Sequence, residues 1–327
     1  MSLKILKTGL LDTIQDNGRY GYQHLGINPG GAMDIAAMQT ANLLVGNEMN
    51  EPVLELFYPA AEILVEKNAL ITIAGGNFSP MINGDGIKIG RPVLVTKNSV
   101  IQFPKKKKGQ CCYLALSGGF KISAWLNSCS TNLKANVGGY DGRKLKKDDR
   151  IEFNSELENE LLKNADMIKL PWRATPLPDP SQDKEIFVIP GNEFDDLSER
   201  SKEIFNSNEF RVTISSDRMG YRLEGENMNT TVKGELVSSG VNFGTIQLLP
   251  NGQLIVLMAD SQTTGGYPRI AHVISAHLSK ISQKQSGEII KFTIVDQAKA
   301  ENLRINQYLH LQQLKNGSKF RLQEFLK

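Results

Sequence analysis

Short apolar or β-branched runs, each closed by a turn, dominate the chain. Ala61–Val65, Leu70–Ile73, Val93–Val95, Val100–Phe103, Tyr113–Leu116 and Ile151–Phe153 predict strands in the first half. Ile186–Ile189, Phe210–Ser215, Gly234–Val237, Thr245–Leu249, Gln253–Met258 and Ile289–Val295 predict them in the second. Many short strands at about 8–12-residue spacing point to a sandwich or barrel. Leu249-Pro-Asn-Gly-Gln253 reads as a hairpin turn, and so does Asn83-Gly84-Asp85-Gly86. The run Leu254–Ala259 is apolar throughout and predicts burial on both faces.

Helical spacing is rarer. Met33–Val45 predicts a helix ending at Gly46, a natural place for a left-handed cap. Asp195–Phe205 predicts a second, with Leu197, Ile204 and Phe205 inward. Ile270, Val273, Ile274, Leu278 and Ile281 follow Pro268 at spacings that predict an amphipathic helix. From about Gln297 the Leu-, Gln- and Lys-rich tail also predicts a helix. Four of the 13 prolines lie between Pro171 and Pro180, and proline stiffens a linker and donates nothing to a sheet. The domain expectation is therefore 1–175, 184–300 and a helical tail 301–327.

Composition narrows the class. The 327 residues are 40% hydrophobic and 22% charged, which is globular. No apolar run approaches the ~18 residues of a membrane helix. Lys plus Arg number 38 against 35 Asp plus Glu, a balance that argues against a nucleic-acid binder. Three cysteines, Cys111, Cys112 and Cys129, make no disulfide framework, and no secretory signal is legible. A reduced, cytoplasmic setting is expected. Glycine, at 29 residues, exceeds the average share of about 7% and implies many turns or backbone held close to a ligand.

Standard catalytic signatures are missing. No phosphate loop, dinucleotide fingerprint, zincin pattern, Cys-x-x-Cys or Gly-x-Ser-x-Gly elbow occurs, and His272 and His277 have poor metal spacing. No metal is expected. Three polar, glycine-studded segments remain. Residues 13–34 pack Asp16, Arg19, Gln23, His24 and Asp34 into one stretch, which is either a site or a loop held by its own turns. In 215–225, Arg218 is either a bidentate carboxylate holder or half of a surface pair with Asp217. Residues 259–268 set Asp260, Gln262, Thr263 and Thr264 before Gly265, Gly266 and Tyr267. With a helix expected after them, they read either as an anion site of backbone amides or as a plain Thr-capped helix start. The run Lys105–Lys108 reads as a solvated hairpin tip, with docking of an acidic partner as the alternative.

These segments carry a resemblance. Asp16-Asn-Gly-Arg-Tyr-Gly-Tyr-Gln-His24, Gly30-Gly-Ala-Met-Asp34, Tyr113-Leu-Ala-Leu-Ser-Gly-Gly119, Gly138-Gly-Tyr-Asp-Gly-Arg143, Ser216-Asp-Arg-Met-Gly-Tyr-Arg-Leu-Glu-Gly225, Gly244-Thr-Ile-Gln-Leu248 and Asp260-Ser-Gln-Thr-Thr-Gly-Gly-Tyr-Pro268 stand in order. They resemble the KipA family over about residues 4–300. That family is also called the 5-oxoprolinase C component, or the second carboxyltransferase subfamily of biotin-dependent enzymes. The resemblance implies a mainly β fold of two cyclophilin-like β-barrel domains with a few short helices. It implies a hydrolase component, active only with partners, that opens 5-oxo-L-proline to L-glutamate. The partners would be a KipI-like B component of 5-oxoprolinase and a third component, with ATP held through a partner. Two alternatives go with it: a carboxyltransferase passing a carboxyl group from carboxybiotin to a urea-like amide, and a non-catalytic antagonist of a KipI-like protein.

The resemblance makes Arg218, Asp260 and Asp34 the expected catalytic residues. Arg19, Gln23, His24, Gln247, Gln262, Thr263, Thr264, Gly265, Gly266 and Tyr267 are expected to bind a small amide substrate. The segments 13–34, 215–225 and 259–268 are expected to converge on one cleft. The chain departs from the family pattern at Cys129 and Ser261, where arginine is common, and at His277, where aspartate is usual.

Overall fold

The computed structural model describes residues 2–154, 162, 165–174, 184–231 and 236–325. It divides into two compact units. The first comprises Met1–Arg19, Asp34–Pro178 and Leu309–Lys327, and the second Tyr20–Met33 and Asp179–Tyr308. The proline-rich stretch contains the division at 178, and its residues 175–183 lie outside the described ones.

In the first unit the strands form two six-stranded sheets. One runs Arg150–Glu152, Ser2–Lys7, Glu62–Val65, Ser99–Gln102, Met81–Ile82, Asp85–Gly86. The other runs Met167–Lys169, Val93–Val95, Ala69–Asn77, Lys108–Leu116, Val53–Phe57, Thr13–Gln15. Antiparallel register aligns Ile5 with Ile63 and Ile63 with Ile101, so one face of the first sheet is apolar. Those side chains join Leu54, Leu56, Ile71, Ile73, Val93, Cys112 and Leu114 of the second sheet in one core. Alternation survives in Glu62–Val65, which has one covered face. Val53–Phe57 is buried at every position. Helix α1, Ile35–Leu44, packs on Ala69–Asn77 and Lys108–Leu116 and buries Met38, Ala41 and Leu44. Its end at Gly46, with φ of 80°, is the cap expected from sequence.

The second unit contains a closed seven-stranded barrel. Its order is Glu185–Pro190, Arg269–Val273, Thr245–Leu248, Leu254–Leu257, Gly220–Glu224, Phe210–Val212, Ile289–Ile294. Parallel pairing of Val188 with Ile294 closes the ring, which removes both sheet edges. Helix α2, Glu199–Ser207, is capped by the Ser198 hydroxyl, which accepts from Ser201 N–H. It lays Phe205 on Phe292 with ring centroids 5.0 Å apart. Both predicted hairpins form: Gly252 N–H donates to Leu249 O, and Met81–Ile82 pairs with Asp85–Gly86 across Asn83 and Gly84, both at positive φ.

The mainly β expectation holds, and four elements differ in detail. The helix expected from Ile270 is a strand over Arg269–Val273, and only Ser275–His277 (3-10) and α3, Leu278–Ser282, are helical. The spacing of Ile270 and Val273 fits a helix, but their strand pairs on both sides, with Glu185–Pro190 and Thr245–Leu248. Those distant pairings override local periodicity. Helix α2 starts at Glu199, not Asp195, because Ser198 provides the cap. Of the strand expected over Gly234–Val237, residues 234 and 235 lie outside the described residues. Leu236 and Val237 are in no strand, and Val237 is 91% exposed. Part of the polar segment 215–225 is barrel wall, since Gly220–Glu224 is a strand. The tail is helix α4, Gln297–Phe325.

Candidate functional site

In the second unit, the chain entering the strand Gly220–Glu224 turns on Asp217, whose carboxylate accepts from Met219 and Gly220 N–H. The turn places Arg218 at 5% exposure. Its Nε donates to Asp260 Oδ2 at 2.7 Å and its Nη2 to Oδ1 at 2.9 Å, a bidentate fork. Nη2 also donates to Gly31 O at 2.7 Å. Asp260 N–H donates to Arg218 O at 2.8 Å, so backbone and side chains tie the same two residues. Asp217, the sequence neighbour, is not the partner. Both oxygens of Asp260 accept from Arg218, so the pair works as a clamp on the loop through Gly31.

Nearby in sequence, Thr264–Gly265 pairs with Ser239–Gly240 as a two-stranded ribbon. No helix follows: Arg269–Val273 is a strand. The expected anion site of helix-entry amides therefore has no helix behind it. Gly265 has another reason to be glycine. A Cβ there would stand 2.7 Å from Gln247 Nε2, so glycine lets the side-chain amide approach. Gln247 is buried, and its Nε2 donates to Tyr267 O at 3.4 Å. Gln262, Thr264 and Tyr267 are exposed and Thr263 half-buried, with Thr263 O accepting from Val241 N–H. This corner has a buried amide behind a strip of hydroxyl and amide side chains open to solvent.

Two features next to the ribbon were not legible in sequence. Glu193 accepts from Arg269 Nε at 3.0 Å and Nη2 at 2.6 Å, and from its N–H at 2.8 Å. These bonds hold the Glu193 carboxyl below the usual carboxylate range. His272 Nδ1 lies 3.2 Å from Thr245 Oγ1, and burial, with the charge of Arg269, lowers the imidazole's pKa. The partners lie 76 and 27 residues apart, so only the barrel register brings them together.

Gln23 and His24 form a short 3-10 turn, Gln23–Leu25. Gln23 Oε1 accepts from Gly21 N–H, and His24 is exposed. The same loop becomes buried at Gly30–Met33, where Gly31 O meets Arg218 and Met33 O accepts from Ser282 Oγ at 2.6 Å.

Arg19 and Asp34 belong to the first unit. Arg19 is 1% exposed, donates to Ser130 O, and stands 4.9 Å from the Trp125 ring centroid. Asp16 accepts from Ser128 Oγ at 2.6 Å, Cys129 N–H at 2.6 Å, Gly18 N–H at 2.8 Å and Ser130 Oγ. Asp34 caps α1 by accepting from Ala37 N–H at 2.9 Å. Its own N–H donates to Tyr113 Oη, which donates in turn to Glu55 Oε2 at 2.7 Å. The family departures also have structural places. Cys129 holds Asp16 by its backbone, Ser261 is buried, and His277 Nδ1 accepts from Phe187 N–H at 2.9 Å while stacking on its ring.

The carboxyltransferase domain, subdomains A and B, matches residues 25–294. The chain is 33% identical over 312 residues to the C component of 5-oxoprolinase from Escherichia coli, covering 95% of this chain and 97% of that one. It is 30% identical to the urea amidolyase of Lachancea kluyveri over 97% of its own length and 18% of the relative's. The crystal structure of Kluyveromyces lactis urea carboxylase superposes with a TM-score of 0.87 at 26% identity. That overlap covers 97% of this chain, which spans 29% of the carboxylase. The chain belongs to the carboxyltransferase-domain family, in the group of 5-oxoprolinase C components.

Proposed function

We propose that the chain is the C component of an ATP-dependent 5-oxoprolinase, working with a KipI-like B component and a third component. The observation that carries this reading is the nearly end-to-end match to the E. coli C component. In the reaction the lactam C–N bond breaks, one water's hydroxyl goes to the carbonyl carbon and its proton to nitrogen, and a second water takes the terminal phosphoryl group of ATP on a partner, releasing ADP and phosphate. A lactam carbonyl attacked in this way develops negative charge on oxygen and needs fixed donors. The strip of Gln262, Thr263, Thr264 and Tyr267 over the buried Gln247 amide offers such donors beside Gly265 and Gly266. Arg218 and Asp260 keep the adjoining loops in place, and Gln23 and His24 reach solvent where a substrate or a partner can meet them. Arg19 and Asp34 shape the first unit's loops. The expected location is the cytoplasm.

A second reading is a carboxyltransferase that takes its carboxyl group from a biotinylated carrier and passes it to a urea-like amide. The match to the carboxyltransferase domain and the likeness to urea carboxylase favour it. Co-expression with the genomic neighbours, followed by a glutamate assay with 5-oxoproline and saturating ATP, separates the two. Glutamate release without any biotinylated partner supports the hydrolase. Its absence under these conditions rejects it.

A further inference from the structure

The C-terminal half of α4 and the chain at Trp172 border an open groove of about 370 Å³ within the first unit. On the helix, Gln313, Gly317, Phe320, Arg321 and Glu324 recur at helical spacing and form one wall, with Leu314 and Ser318 beside them. Trp172 and Arg173 form the other. The helix faces the body of the unit with a different stripe, in which Leu311 and Leu322 are buried and Lys315 pairs with Glu48 at 2.6 Å. The groove is thus flanked by a firmly seated helix.

Four observations make it a site rather than a packing gap. Gly317 is a helix-interior glycine, which weakens a helix relative to alanine. A Cβ there would meet nothing within 4 Å, so the open space is not required by any neighbour. Trp172 Nε1 and Ser318 Oγ, both in the lining residues, are buried and have no hydrogen-bond partner, an uncommon state for buried polar groups. Two guanidiniums line the groove with one carboxylate: Arg321 approaches Glu324 at 3.8 Å, and Arg173 makes no ion pair among the described residues. The Trp172 indole, edge-on to Phe325 at 5.8 Å, and Phe320 supply flat apolar surface.

We propose that this groove binds a small organic monoanion, a carboxylate carried on an aromatic or similarly flat body. The volume is at the low end of small-molecule pockets and too small for a folded peptide segment. The excess of one positive charge suits a monoanion, and the indole and phenyl rings suit its flat part. The Arg173 and Arg321 guanidiniums are the donors that such a ligand would meet.

The test is calorimetric titration of the full chain with phenylacetate, with phenylacetamide as the neutral control. Saturable 1:1 binding is expected, about tenfold weaker for the amide. Gly317→Leu should fill the notch and abolish binding while helix content by circular dichroism holds or rises. Arg321→Gln, at an exposed position, reads the charge contribution should Gly317→Leu fold poorly. No saturable binding at about 10 mM, equal affinity for the amide, or unchanged binding in both Gly317→Leu and Arg321→Gln overturns the proposal. So does binding only of an aromatic-anchored peptide, which would mark a protein-docking groove.

Discussion

Two polar loop clusters invite comparison, one in each unit. Around Asp16 in the first unit, a single carboxylate collects two hydroxyls and two backbone N–H groups, and Arg19 closes on Ser130 O beside it. The acid, the arginine and the serines are buried. Around Gly265 in the second, one buried amide stands behind Gln262, Thr264 and Tyr267, which face solvent. Both clusters read in sequence as dense polar glycine loops. They differ in what the polar groups are bonded to. Where loops bond each other, the polar groups serve shape. Where side chains remain at the surface, they are available to a ligand. Arg218 lies between these cases, since it is buried and clamped to Asp260 at the start of the segment that carries the exposed strip.

Asp16→Ala strands four donors at once. Loss of about 4 kcal/mol in urea unfolding is expected. A loss under about 1 kcal/mol would show the cluster is not a fastener. Arg218→Ala comes next, at about 3 kcal/mol, because it leaves Asp260 partly buried without its partner. A double-mutant cycle with Asp260→Ala should return most of that as coupling, and no coupling would make the pair incidental.

A pH series sharpens the contrast within the first unit. Burial pushes the Asp12 carboxyl up to about 7, against the N–H bonds from Phe57 and Ala61. The folded state then holds a proton that the unfolded chain releases near the ordinary 3.8. Its contribution to stability is full below about pH 4 and is lost as pH rises towards 7. The difference in melting temperature between the wild type and Asp12→Asn should change across that window and level off above it. A flat difference would place the carboxyl elsewhere. The smallest stability effect belongs to the second unit: Thr264→Ala should shift stability by no more than about 0.5 kcal/mol. In the reconstituted enzyme it should nevertheless lower glutamate formation about tenfold. Unchanged turnover would remove Thr264 from the site.

Local elements are legible because their causes are local. Pro250-Asn251-Gly252 and Asn83-Gly84 dictate tight turns, and α1 begins and ends on residues suited to caps. Arg269–Val273 reads as helix in sequence because two β-branched residues at i and i+3 satisfy that period while a strand places them by pairing. Val53–Phe57 and Gly220–Glu224 are hard to read as strands for opposite reasons: burial on both faces removes alternation from the first, and the second carries a polar motif. In the site, motif resemblance points to Arg218, Asp260 and Gly265, while Glu193, His272 and Asp16's partners leave no signal.

Residue order alone determined the family, the strand-rich character, the hairpins and which segments are polar and glycine-rich. These follow from spacing of a few residues and from motif identity, both of which a linear chain displays. The tertiary structure decided that Arg218 pairs with Asp260 rather than Asp217, that Gly265 makes room for an amide, and that Asp34 caps a helix. Those outcomes depend on which distant backbones share a register, and in the second unit the long-range pairings that close the barrel set it.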